Sequence, residues 1–152
     1  MKKMRIALAS MLVAAGITAT AGAANFTNCA DRLKDVGLFQ GTNQGYQLDK
    51  APTRAEASAM LVRLLGQEED ALAGTWTTPF QDVPDWAAPY VGYAYEKGLT
   101  NGKSETRFDP DSTIRASEYL TFVLRALGYV SGTDFAWDSA WTLSDKLGIT
   151  HG

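Results

Sequence analysis

Few side chains in this 152-residue chain could do chemistry. One Cys and one His are too few for a His- or Cys-based metal site or an internal disulfide. What remains is carboxylates, arginines and tryptophans. Asp109 and Asp111 straddle Pro110, and Glu68, Glu69 and Asp70 are consecutive. Paired carboxylates hydrolyse glycosides when a cleft holds them at a fixed separation. Here Asp109-Pro110-Asp111-Ser112 reads more simply as a turn into a helix cap, and the acidic run as solvated linker after Gly66. The carboxylate spacings fit no EF-hand loop, and His151 lies too near the C-terminus to serve as a held base. No catalytic, metal or cofactor residues are expected. Arg54 is more promising. At a helix start, open backbone N–H groups and the helix dipole favour an anion, and a guanidinium can clamp a carboxylate through two bonds. Alternatively, Arg54 is solvated or pairs locally with Glu56. Trp86 offers a flat apolar face for a sugar ring, or else packs in the core at a helix start.

Helices must position these residues, and they come in repeats. Gly37-Leu38-Phe39-Gln40-Gly41, Gly98-Leu99-Thr100-Asn101-Gly102 and Gly148-Ile149-Thr150-His151-Gly152 share one pattern, with first glycines 61 and 50 residues apart. Each follows a helix-like stretch: one from Thr27 or Asn28, one from Trp86 to Lys97 with Pro89 in its first turn, and one from Trp137 to Leu147. The first two also precede a second stretch, Arg54 to Gly66 and Arg115 to Gly128. Counted back from the closing glycines, Arg63 pairs with Arg125, Met60 with Phe122 and Leu65 with Leu127. Ala57, Met60, Leu61, Leu64 and Leu65 make one apolar face, as do Tyr119, Phe122, Val123, Ala126 and Leu127. Thr53 with Glu56 is a capping box. At the second start, Ser112 or Thr113 is the expected cap, with Glu118 too far away to complete a box. Arg63 and Arg125 lie opposite the apolar faces, as surface or ion-pair residues. Cys29 is expected in the core with Ala30 and Leu33. Trp141 is expected in the core too, and Trp76 to be the more exposed.

The N-terminus reads as a leader. Lys2, Lys3 and Arg5 precede an apolar run from Ile6 to Ile17, and Ala21-Gly22-Ala23 supplies a cleavage site after Ala23. The run is shorter than the roughly 20 residues that span a bilayer, and no later stretch is long enough to do so. Removing 23 residues with their three basic side chains leaves 129, carrying 11 basic and 17 acidic groups and a net charge of −6. An exported, net-acidic chain with scattered basic residues lacks the footprint of a nucleic-acid binder.

Phe80-Gln81-Asp82-Val83-Pro84-Asp85-Trp86, then Tyr90-Val91, the Gly98 pentapeptide, Phe108-Asp109-Pro110 and the Arg115 stretch together resemble the S-layer homology motif. Thr53-Arg54-Ala55-Glu56 with Val62-Arg63-Leu64-Leu65-Gly66 is similar to the second helix of that motif. On this likeness the leader covers 1–23, a first motif 26–66, a linker 67–79, a second motif 80–128 and the start of a third 129–152. The resemblance implies an all-α fold, tandem helix–loop–helix repeats packed as an incomplete pseudo-threefold bundle. It also implies a cell-wall or cell-surface location and non-covalent binding of a secondary cell-wall polysaccharide, often pyruvylated.

The residues matching the family's wall-binding positions are Arg54 and Arg115, Gly41 and Gly102, and Asp82 and Trp86. Gly41 and Gly102 would let backbone approach a ligand closely, though a plain turn explains them as well. Arg54→Ala is expected to lower retention on wall polysaccharide and leave the fold intact. The first motif lacks the F-x-D-V-x-x-W lead-in, and the second has Ile114-Arg115-Ala116-Ser117-Glu118 where T-R-A-E is expected. The alternative to a wall anchor is a structural envelope protein that has lost wall binding and self-associates through faces left by its incomplete third motif. A secreted hydrolase fragment is a more distant reading.

Overall fold

The computed structural model describes residues 26–151; the leader read over 1–23, with its cut after Ala23, and Gly152 lie outside them. The described chain is all helical, with three isolated bridges and no strand. No helix in it is long and apolar enough to cross a membrane. It forms two compact units that meet in sequence between Ile114 and Arg115.

The first unit holds α1 (Thr27–Asp35), α2 (Arg54–Leu64), α3 (Glu68–Ala73) and α4 (Ala88–Glu96). α2 starts at the capping box: the Thr53 hydroxyl accepts from the Glu56 amide at 3.2 Å, and the Glu56 carboxylate accepts from the Thr53 amide at 2.7 Å. Gly66 ends it with φ +67°. α4 carries Pro89 in its first turn, where a missing N–H costs nothing. These starts and ends are those the sequence predicts.

Several expectations fail in this unit. The acidic run is not free linker, because residues 68–73 form α3, which packs on α2 and α4 with Ala71 fully buried. Glu68 accepts hydrogen bonds from Arg63 Nε at 2.8 Å and the Tyr90 hydroxyl at 2.6 Å, and these hold α3 in place. Cys29 is exposed, as are Phe26 and Leu33, and Ala30 alone of that face is buried.

With α3 and α4 both against it, α2 is buried nearly all round. Ala55, Ser58, Ala59 and Val62 are inside, while Leu64 of the expected stripe is exposed. Alanine and serine leave room for close neighbours on several sides. The core proper is Ala55, Phe80, Ala87, Val91 and Phe108, with Val83 and Tyr95 against it. Trp76 is packed rather than exposed. Its indole N–H donates to Ala71 O at 2.7 Å, its ring meets Tyr93 edge-on at 5.2 Å, and a side chain at Gly92 would collide with it.

The second unit holds α5 (Ala116–Ala126), a 3₁₀ turn at Trp137–Ser139 and α6 (Ala140–Lys146) around Leu124, Phe135 and Ala140. Trp137 and Trp141 are about half exposed, so Trp141 is not the core residue expected.

Candidate functional site

Arg54 is the first helical residue of α2, but its side chain turns inward and is only 4% exposed. Nε donates to Phe108 O at 2.9 Å, Nη2 lies 3.5 Å from the Thr100 hydroxyl, and the guanidinium sits 5.0 Å from the Phe108 ring centroid. It is thus neither solvated nor spent on Glu56.

The helix start around it is also closed. The Arg54 amide donates to Ser112 O at 2.9 Å and the Ala55 amide to Pro110 O at 3.0 Å. The capping box uses the next amide. The open N–H groups expected to favour an anion at α2 are therefore occupied by the loop 102–114, which docks end-on and pairs Thr113 with Thr53.

Asp82 grips the same loop from its other side. Its two carboxylate oxygens accept from the Phe108 and Asp109 amides, both at 2.8 Å. The Phe108 residue is thus held through its carbonyl by Arg54 and through its amide by Asp82, with the ring fully buried. Burial works against the charge on Asp82, but the two amides together with Arg107, 3.7 Å away, outweigh it and keep the carboxyl below its ordinary range. Asp109 is left at φ +65°, a conformation in which a non-glycine residue needs such support.

Gly102 (φ +74°) leaves no room for a side chain, because a Cβ there would meet the Phe80 ring and Arg107 O. Gly41 (φ +70°) sits against Tyr46 and Gly45 O in the same way, more loosely. Both glycines serve the packing of their own loops.

Arg115 is placed quite differently from Arg54. It is exposed, and it is the N-cap of α5, not a residue of its first turn. Its amide donates to the Glu118 carboxylate at 2.9 Å. This corrects the reading of Ser112 or Thr113 as cap with Glu118 out of reach. A guanidinium has no acceptor, so only the Glu118 half of a capping box exists. Arg115 therefore matches Thr53, and Ala116 matches Arg54. The pairing of Gly66 with Gly128 already contains this register: carried back along both helices, it sets Ala116 opposite Arg54.

Trp86 is 53% exposed ahead of α4, which excludes the core reading and leaves its face open to solvent. Arg63 forms the anticipated ion pair, with Glu68. Phe108 and Thr100 were not singled out as site residues, and nothing in their types marks them. The Asp-Pro turn beside Phe108 is the only local signal.

Comparison with known proteins places these features. The profile of the S-layer homology domain matches residues 79–115, which is α4 with its lead-in and the docked loop. A cell surface protein of Thermoanaerobacter kivui is 33% identical over 134 residues, 85% of this chain and 17% of that protein. A surface layer protein of Brevibacillus choshinensis is 32% identical over 155 aligned positions, covering 98% of this chain and 14% of that protein. A cellulosome-anchoring protein of Acetivibrio thermocellus is 35% identical over 104 residues, 64% of this chain and 22% of that protein. The chain thus spans between 14% and 22% of these relatives.

Proposed function

Because residues 79–115 make this an S-layer homology domain protein, we propose that it is a non-catalytic module that holds its protein on the bacterial cell wall by gripping a secondary wall polysaccharide without a covalent bond. The observation that carries this reading is the family match, which falls on α4 and the loop that Asp82 and Arg54 fix. The relatives named for anchoring and for the cell surface support it. The net acidity of the chain gives no general attraction to an anionic polymer, so the grip must come from local contacts.

Among the six residues expected at the site, Trp86 and Arg115 are the exposed ones: an indole to stack on a sugar ring and a guanidinium to pair with a carboxylate such as a pyruvate ketal. Arg54, Asp82 and Gly102 act one step back by shaping the loop, and Gly41 does the same for its own loop.

Co-sedimentation with wall sacculi, before and after extraction of the secondary polysaccharide, tests this. Retention should vanish on extraction. Trp86→Ala should weaken it several-fold with unchanged melting, and Arg115→Ala should weaken it only where the polymer carries ketals. Equal retention on extracted and intact walls would sink the proposal.

A further inference from the structure

Of the asparagines at 25, 28, 43 and 101, Asn101 alone precedes a glycine. Asn101-Gly102 closes the second pentapeptide as Gln40-Gly41 closes the first, and the two glycines share a similar φ, +74° and +70°. The side chain that follows an asparagine normally keeps the next backbone nitrogen away from its side-chain amide. Glycine has none, and no other residue fits at 102, where a Cβ would meet Phe80 and Arg107 O.

The surroundings leave this pair open. Asn101 is exposed, and no hydrogen bond holds its side chain among the described residues. The Gly102 amide donates to Thr100 Oγ1 at 3.3 Å, whereas the next amide, of Lys103, has Arg107 O at 2.8 Å. Nucleophile and electrophile are therefore neighbours in one chain, with no bulk between them and one long hydrogen bond to break.

We propose that Asn101 is a site of spontaneous deamidation, an ageing mark in the loop that Arg54 and Asp82 hold. The Gly102 nitrogen loses its proton to hydroxide and attacks Cγ of Asn101. The new N–Cγ bond closes a five-membered succinimide. The Cγ–Nδ2 bond breaks, and Nδ2 takes a proton from water and leaves as ammonia. Water then opens the ring. Adding at Cγ, it gives aspartate; adding at the main-chain carbonyl, it gives isoaspartate, with the chain running through Cβ and Cγ. Gln40 would need a six-membered ring, which closes far more slowly, and so serves as a control within the molecule.

The isoaspartate product matters to the fold. It lengthens the main chain by one carbon between Thr100, 1% exposed and 3.5 Å from Arg54 Nη2, and Gly102, already against Phe80. On the far side, Lys103 N is tied to Arg107 O, next to Phe108, so that stretch has no slack to take up the added length. The product must shift Gly102 from Phe80 or Thr100 from Arg54, and either loosens the Phe108 segment. None of this depends on what the module binds.

Storing the whole folded chain at neutral and at mildly alkaline pH tests it, with mass spectrometry of fragments cut in mild acid, where the ring closes slowly. The fragment holding Asn101 should gain one mass unit, faster at the higher pH, and accept methyl groups from an isoaspartate methyltransferase. Fragments holding Gln40 or Asn43 should stay unchanged, and Asn101→Gln should abolish the gain. The separated isoaspartate form should melt several degrees below Asn101→Asp, which carries the charge without the extra carbon. No gain at Asn101, a gain only in urea, equal rates at Asn101 and Asn43, or an isoaspartate form that melts with Asn101→Asp would overturn the proposal.

Discussion

Two charged side chains hold one peptide segment from opposite sides, and their substitution should tell them apart from the ligand contacts. Arg54→Ala leaves Phe108 O without its donor and opens a space over the ring, so it should cost about 2–4 kcal/mol in urea unfolding. Any loss of wall retention would then follow from a loosened fold, contrary to the expectation of an intact one. Asp82 adds a dependence on acid. Its folded-state carboxyl titrates below its ordinary range, so its contribution is fully present above the unfolded value near about 4 and is lost as pH falls through the folded value. Glu68 behaves alike. Burial opposes its charge, but bonds from Tyr90 and Arg63 prevail and lower its value. In Asp82→Asn the fall in stability from pH 5 to pH 2 should be shallower than in the unaltered chain; an identical slope would show that the carboxylate is not held as described. None of this was legible at the residue scale. A charged side chain in a sequence reads as surface, and Asp82 meets Phe108 and Asp109 across 26 and 27 residues, to backbone groups that carry no sequence signal.

Helices were far more legible, because periodicity, caps and stop signals are local. The starts and ends of α1, α4 and α6 fall within a few residues of their expected places, and the capping box of α2 is present as read. Thr53→Ala should lower stability by about 1 kcal/mol, seen as a lower Tm, because the box is half removed. The slip at the second helix arose from aligning one arginine with another; the closing glycines give the register that the caps obey. α3 was missed because six residues with three consecutive acids carry no helical period. Its hold comes from Arg63 and Tyr90, which lie on the helices either side. Cys29 misled by its type: small and apolar as it is, it is exposed, and the burial on its side of α1 reaches only Ala30.

Over the whole molecule, the repeats are plain in the sequence but the compact units are out of step with them. The second motif gives α4 and its loop to the unit containing α2, and its own second helix, α5, to the unit containing α6. Amide exchange should show this. Asp82→Ala should lower protection together in residues 54–62, 88–96 and 108–114, and leave residues 116–126 and 140–146 unchanged. Equal loss in α5 would mean that the sequence motif, rather than the compact unit, unfolds as one. The offset also bears on how such a module can be recombined. A crossover ahead of Phe80, where the sequence motif begins, would part α2 from the loop that closes its first turn and leave Arg54 with no carbonyl to meet. One between Ile114 and Arg115 passes between finished pieces. For grafting or shuffling this module, the workable cut therefore lies in the middle of the repeat, at the residue where an arginine replaces a threonine.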